Sequence, residues 1–278
     1  MKLLKIITLF FYFWCSLSFG NINSTCNYNI NIGSFNIESS QSDINVIQKQ
    51  IVENSDIKIW GIVESSNQVV NNILKGLQEH GDFKVISGTT GGGNLKMQIF
   101  YDSTNFRPLY QTELHYINYK NRVRSPLVVK FEDLKSNQKF YVMLNHLYRS
   151  NKFYRHKQAE LINQWAKEIY SKENIPVLAI GDYNFDMYYK DITKRDVGFE
   201  NMIKDNIFKW VKPNVLYPTQ CSRHKSILDF IFVSNSSVTK LQASSDILYR
   251  YEQYCSYKRY FSDHRPVVAY VNYDVKCK

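Results

Sequence analysis

Nowhere in the 278 residues do two cysteines form a Cys-x-x-Cys pair, which disfavours a zinc site. The triple glycine Gly91-Gly92-Gly93 lacks the flanking lysine of a phosphate-cradling P-loop and therefore reads as a turn. No Pro-, Gly- or Ser-rich linker, repeat or low-complexity tract divides the chain, so a string of tethered modules is excluded. No long apolar loop stands out either, and a chain working at a lipid surface would need one to seat itself. Acid is scarce relative to base: 25 Asp and Glu face 35 Lys and Arg, a formal net charge of +10.

What is present begins with the leader. Met1 to Gly20 carries Lys2 and Lys5, an apolar, aromatic-rich run from Ile6 to Leu17, and small residues at Ser16, Ser18 and Gly20. That is the pattern of a secretory signal peptide, and the run is short for a membrane span; an uncleaved anchor is the alternative. The expected organisation is a signal peptide over residues 1–20 and a single domain over 21–278, secreted or periplasmic, without stable membrane insertion once the leader is removed. Losing Lys2 and Lys5 leaves 33 basic against 25 acidic residues, about +8. Four cysteines remain, Cys26, Cys221, Cys255 and Cys277, and an even count in an exported chain points to disulfides. Asn23-Ser24-Thr25 and Asn235-Ser236-Ser237 are sequons, meaningful in a eukaryotic host.

The chemistry lies at the ends of apolar strands. Ile32 to Ile37 brings up Asn36, Trp60 to Val63 delivers Glu64, and Tyr141 to Leu144 ends on Asn145-His146. Pro176 to Ile180 breaks at Gly181 and presents Asp182 and Asn184, Asp229 is the lone acid in Ser226 to Val233, and Asp263-His264 opens the strand Val267 to Val271. A polar group in such a place must find a partner, because burial without one is costly. Taken singly each has a plain structural reading as a cap, a turn or a satisfied core histidine. Together they supply hard oxygen ligands, neutral phosphate donors, and a histidine with an acid to orient it. Helical spacing appears in Asp43 to Asn54 through Ile44, Ile47 and Ile51, and again in Arg155 to Tyr170. Two-residue alternation appears in Gln98 to Tyr101 and Lys139 to Leu144.

The set SFNIE, WGIVES, NHLY, GDYNFD, SILDFIFVS and FSDHRP resembles the endonuclease/exonuclease/phosphatase superfamily, which includes DNase I, exonuclease III-type repair nucleases, neutral sphingomyelinases and inositol polyphosphate phosphatases. The likeness spans about Asn29 to Tyr273. Arg124-Ser125-Pro126 is similar to the Arg-x-Pro strand that follows the phosphate-contacting loop in DNase I-like members. The resemblance implies an α/β (α+β) four-layered sandwich: two mostly antiparallel sheets face to face, helices outside, and the site at the top between them.

The expected chemistry is hydrolysis of a phosphodiester. Glu64, with Asp263 and Asn36, would hold Mg²⁺ or Mn²⁺ against a non-bridging oxygen. His264, oriented by Asp229, would accept the proton of the attacking water, while Asn184, Asn145, His146 and Arg124 stabilise the phosphorane. Asp182 would orient or deprotonate the nucleophile, or bind a second metal. In DNase I-like relatives the histidine matching His146 has a Glu partner on the preceding strand; Asn94 to Gln98 holds no acid here, which leaves an acid role for His146 unsupported.

Lys and Arg near the site strands (Lys120, Arg122, Arg124, Arg149, Lys152, Arg155, Lys157, Arg223, Lys225, Lys258, Arg259, Arg265), with Tyr148, Tyr154, Tyr257 and Tyr260 among them, favour a nucleic acid, DNA or RNA, with the protein a monomer. Scattered charge inflated by an AT-rich genome is the bland alternative. A sphingomyelinase, a phosphoinositide-type phosphoesterase and a catalytically silent binding module are the competing functions. In such a fold the first and last strands line one site; as antiparallel neighbours they would pair Cys26 with Cys277, leaving Cys221 with Cys255.

Overall fold

The structure is a computed structural model that describes residues 25–121, 123–221, 225–234, 238–255 and 260–276. The expected leader, Cys277, and the sequon asparagines Asn23 and Asn235 lie outside the described residues, as do Arg122, Arg223, Tyr257, Lys258 and Arg259. Along the chain run β1 (Thr25–Asn36), α1 (Ile44–Val52), β2 (Ile59–Ser65), α2 (Asn67–Leu77), β3 (Phe83–Ser87), β4 (Lys96–Asp102), β5 (Phe106–Glu113), β6 (Leu127–Asp133), β7 (Lys139–His146), α3 (Lys152–Glu173), β8 (Val177–Tyr188), α4 (Val197–Ile203), β9 (Phe208–Trp210), β10 (Ser226–Ser234), β11 (Val238–Ile247) and β12 (Val267–Lys276). Among the described residues no helix is long and apolar enough to cross a membrane.

The strands form two six-stranded sheets, ordered β11-β12-β1-β2-β4-β3 and β5-β6-β7-β8-β10-β9. Each sheet has one parallel pair at its centre, β1 with β2 and β7 with β8, and is otherwise antiparallel. The first and last strands are antiparallel neighbours, with Cys26 opposite Val275. Ile32, Val63, Ile99, Val129, Leu144, Ile180 and Ile231 interlock between the sheets. Helices α1 and α2 cover the outer face of the first sheet through Ile47, Ile51, Ile73 and Leu77. On the second sheet α3 and α4 lie over Tyr141, Met143 and Phe232 through Ile162, Ala166 and Phe199. That gives the four layers expected of the fold.

Layering also explains why alternation in the sequence does not become alternating exposure. In β7 Val142 and Leu144 face the other sheet while Tyr141 and Met143 face α3, so both faces are dry. The helices begin where short polar side chains can cap them. Asp43 accepts from the Asn45 backbone N–H at 2.8 Å before the Ile44, Ile47, Ile51 stripe. Asn151 accepts from the Tyr154 N–H at 3.1 Å, which starts α3 three residues ahead of the expected Arg155, and Asn174, left-handed at φ 54°, ends it.

Parallel pairing brings the chemical groups together. The carboxyl ends of β1 and β2 leave the sandwich on the same side, with Asn36 beside Val63 and hence next to Glu64. The ends of β7 and β8 do likewise, with His146 level with Asp182. Strand β10 then sets Asp229 opposite Asp182, and the residues entering β12 supply Asp263 and His264.

Candidate active site

Several of the functional side chains are placed by a local departure from strand regularity. The pairing of β2 with β4 slips between Ile62 and Ser65, and Glu64 within that bulge takes φ 55°. Asn184 takes φ 53°. Left-handed backbone at residues other than glycine is held only where surroundings enforce it, and such positions gather at functional sites. Gly181 is the stricter case: at φ 136° it stands opposite Asn145, whose carbonyl oxygen a Cβ on residue 181 would meet at 1.9 Å. Only glycine lets β8 approach β7 closely enough to set Asp182 against His146.

The geometry is compact. Asn36 Nδ2 donates to Glu64 Oε1 (3.2 Å) and to Asp182 Oδ2 (3.1 Å). His146 Nε2 lies 3.5 Å from each of those same oxygens. His264 Nδ1 bonds Asp229 Oδ2 at 2.8 Å, and its Nε2 faces Asp182 Oδ2 (3.9 Å) and Asp263 Oδ1 (3.8 Å). Asp182 is thus shared by two groups of potential ligand atoms, one with Glu64 and His146 and one with Asp229 and His264, each within 4.8 Å. Glu38, which sequence reasoning left without a role although it closes the SFNIE motif, accepts the Asp263 backbone N–H at 3.1 Å.

Electrostatics at this site are governed by burial and like charge. Burial, reinforced by the charges of Asp229 and Glu64 against the pull of His264, pushes the Asp182 carboxyl up to about 7. Burial and the neighbouring Asp263, with Glu64 further off, push Glu38 up to about 7 as well. Burial would depress the His264 imidazole, but Asp229 and Asp182 outweigh it and hold the ring well above its usual value. His146 goes the other way: burial, then Arg124, His264 and Arg149, hold it well below the usual value, so it is neutral. Its Nδ1 is buried without a hydrogen bond among the described residues, in keeping with the missing upstream acid.

Two raised carboxyls beside Glu64, Asp229 and Asp263 make a concentration of negative charge that one imidazolium and Arg124 only partly balance. The carboxylate oxygens of Glu64 and Asp182 are hard donors that could hold a divalent cation, with the His146 or His264 nitrogen in the same groups. Asn36 fits less well as a ligand, because its oxygen accepts the Glu38 N–H at 3.2 Å and its nitrogen faces the carboxylates; it braces them.

Arg124 stands at the mouth of a cavity of about 310 Å³ with Glu64, His146, Leu147, Tyr148 and Arg149. Gly91, the first of the triple glycine, lies directly under it, since a Cβ there would come within 2.8 Å of Arg124 Cγ. Asn118 clasps both backbone groups of Val123 (2.9 and 3.0 Å), and Thr90 Oγ1 accepts the Ser125 N–H at 3.0 Å, fixing the loop on either side of the guanidinium. Asn184 is within the site, its N–H bonded to Asp182 Oδ1 (2.9 Å) and its amide donating to Leu147 O (3.2 Å).

Some expected roles need correction. Asn145 is fully buried and donates to Met143 O, Ile180 O and the Tyr183 hydroxyl; strand alternation turns it to the helix side because His146 takes the cleft side. Arg155 and Arg265 are not free cations for a polyanion. Arg155 is spent on Tyr148 O, Arg149 O and Asp196, and Arg265 on Pro218 O, Tyr249 O and Cys255 Sγ. Two residues brace the site without having been given a role from the sequence, although Ser262 lies in the FSDHRP motif. Thr219 Oγ1 accepts the backbone N–H groups of Leu228 and Asp229, and Ser262 Oγ donates to Asn36 O while accepting the His264 N–H. Cys221 and Cys255 are disulfide-bonded as expected, and the Cys221 N–H donates to Asp263 O at 2.7 Å.

An endonuclease/exonuclease/phosphatase family protein from Bacteroides thetaiotaomicron superposes with a TM-score of 0.69 at 18% identity, covering 91% of this chain and 98% of that one. This is the endonuclease/exonuclease/phosphatase fold. The same fold is shared by D. rerio TDP2 complexed with single-strand DNA product (TM-score 0.69, 16% identity, 88% and 98% covered). A B. thetaiotaomicron mannosyl-6-phosphatase shares it too (TM-score 0.65, 18% identity, 87% and 99% covered). No protein-family model matches the chain, and no curated protein matches it.

Proposed function

We propose that this endonuclease/exonuclease/phosphatase-fold chain is an exported, divalent-metal-dependent phosphodiesterase acting on nucleic acid. The observation that carries the reading is the convergence of Glu64, His146, Asp182, Asp229 and His264 from β2, β7, β8, β10 and the entry to β12, with Asp182 common to both groups of ligand atoms. When bound, the cation would withdraw charge from a phosphoryl oxygen and lower the barrier to attack. Asp229 fixes the His264 ring through Nδ1 and leaves Nε2 to exchange a proton with water in the cleft. Asp182, 3.9 Å from that nitrogen, orients the same water. Arg124 and the neutral His146 line the same cavity as Glu64 and would donate hydrogen bonds to a phosphate there, and neither loses that capacity across neutral pH.

Several features support a polyanion: 33 basic against 25 acidic residues once the leader is lost, the exposed Arg149 lining the Arg124 cavity with the exposed Lys120 over nearby Tyr154, and a fold shared with TDP2 in complex with single-strand DNA. The Cys221–Cys255 disulfide supports an oxidising compartment. The test is turnover by purified protein on plasmid DNA, single-stranded DNA, RNA, a sugar 6-phosphate, phosphoinositides and sphingomyelin vesicles, each with Mg²⁺, Mn²⁺ or chelator. Chelator-sensitive cleavage of nucleic acid is expected. Turnover confined to the monoester or the lipid overturns the substrate, and no turnover with any metal overturns the enzyme. Glu64→Gln should raise the metal concentration needed for half-maximal rate, and an unshifted metal titration would remove Glu64 from the ligand set.

A further inference from the structure

The wall of the Arg124 cavity continues outward as a surface of aromatic rings. Tyr148 lines the cavity and packs edge-on to Tyr154 at 5.4 Å between centroids. Tyr154 in turn meets Tyr119 at 4.6 Å and Phe153 at 5.9 Å, and Tyr119 and Phe153 close the group at 6.4 Å. Phe153, at 67% exposure, stands open to solvent in the first turn of α3, where core packing has no use for it.

Positive charge follows the same path. Lys120 Nζ sits 5.6 Å from the Tyr154 centroid and 5.9 Å from that of Tyr119. It reaches them because Lys120 and Asn121 are both left-handed, at φ 58° and 52°, a conformation L-residues adopt at a cost. Arg149 is exposed at the cavity edge, its backbone carbonyl and that of Tyr148 held by the buried Arg155. An exposed ring backed by three half-buried ones, cations alongside and a cavity of about 310 Å³ at one end are complementary to unpaired nucleotides, whose bases stack while their phosphates pair with the cations. A duplex keeps its bases stacked on each other and offers the rings nothing but backbone.

We propose that Tyr148, Tyr154, Tyr119 and Phe153, with Lys120 and Arg149, form a stacking track for the unpaired bases of a single-stranded nucleic acid whose scissile phosphate enters the Arg124 cavity. This rests on the reading of the carboxylate and imidazole cleft as a phosphodiesterase centre, and names the form of its substrate. Phe153 is the outermost ring of the track, and Tyr148 is the point where the track meets the chemistry.

The test is metal-free binding, so that cleavage plays no part: fluorescence anisotropy of a dye-labelled short oligothymidylate and of a duplex of equal phosphate count, with chelator present. The single strand should bind more tightly. Phe153→Ala should weaken it by about 5- to 100-fold, the effect of losing one stacked base, while duplex affinity stays put. Phe153→Trp should bind at least as well as the parent, and Phe153→Leu, which keeps apolar area but no ring, should bind as weakly as Ala. Equal affinity for both nucleic acids, unchanged binding by Phe153→Ala, or full binding by Phe153→Leu would overturn the track. So would sphingomyelin vesicle binding that Phe153→Ala abolishes while oligothymidylate binding stays intact, which would assign the rings to a lipid surface. Unaltered thermal melting of each variant separates these outcomes from misfolding. Single-strand binding without turnover on any phosphodiester would sink the catalytic reading and spare the track; turnover without single-strand preference would do the reverse.

Discussion

Asp182 is the residue at which stability and activity should part. It is 2% exposed, and its carboxyl is pushed from 3.8 up to about 7 by burial and by Asp229 and Glu64. Each unit is about 1.4 kcal/mol, so ionising Asp182 in the folded, metal-free protein costs on the order of 4 kcal/mol at pH 8. Between about pH 4 and 7 the native state retains a proton that the unfolded chain has released, so this group makes stability fall as pH rises through that window. Asp182→Asn removes the charge at constant shape. The new amide can still accept the Asn184 N–H, but its nitrogen meets the Asn36 donor, a conflict worth about 1–2 kcal/mol unless Asn36 flips. The net expectation is a metal-free variant about 2 kcal/mol more stable than the parent at pH 8, crossing it near pH 5, about 1 kcal/mol less stable near pH 4, and catalytically dead. Urea unfolding with chelator across pH 4 to 8 measures it. Added Mg²⁺ or Mn²⁺ should stabilise the parent more than the variant, since a ligand stabilises in proportion to its affinity for the native state. A variant less stable than the parent at pH 8, or parallel pH curves, would show that Asp182 is not under the strain assigned to it.

Other outcomes follow from the same geometry. His264→Ala should lower turnover by about 10²- to 10⁴-fold, the usual share of acid-base catalysis, and near-parental rates would reassign the proton transfer. Gly181→Ala puts a Cβ at 1.9 Å from Asn145 O on a backbone at φ 136°; a loss of about 3 kcal/mol or more in urea unfolding is expected, and a loss under about 1 would mean that β7 and β8 separate freely. Reducing the Cys221–Cys255 bond, which closes a loop with a sequence separation of 34, should cost up to about 4 kcal/mol in the entropy model. Thermal melting with and without reductant reads that cost, and non-reducing peptide maps showing Cys221 or Cys255 bridged to Cys26 would contradict the pairing.

Much of the site was visible in the linear chain because a polar group at the end of an apolar strand is costly unless something meets it. Asn36, Glu64, His146, Asp182, Asp229 and His264 all announce themselves in that way, and the structure brings them to one end of the sandwich. Glu38 did not, although it closes the same motif as Asn36; burial raises its carboxyl, and Asp263, 225 residues away, adds to the rise. Asn145 misled because adjacent residues in a strand face opposite ways, and only the tertiary packing shows that His146 turns to the cleft and Asn145 to the helix side.

The sequence by itself determined the chemical kinds available and the strand ends that carry them, which are local properties; the four-layer class of the fold and the Cys221–Cys255 pair came through the resemblance of its motifs to a known family. Tertiary structure decided which way each group points and what it has left to give. Arg155 and Arg265 read as surface cations until carbonyls of Tyr148, Arg149, Pro218 and Tyr249 are seen to consume their donors. The aromatic track likewise exists only because the loop at Tyr119 folds against the first turn of α3. A side chain's charge and shape are written at one position, but its partners are set by pairings between strands and loops far apart in the chain, and no short window of sequence contains them.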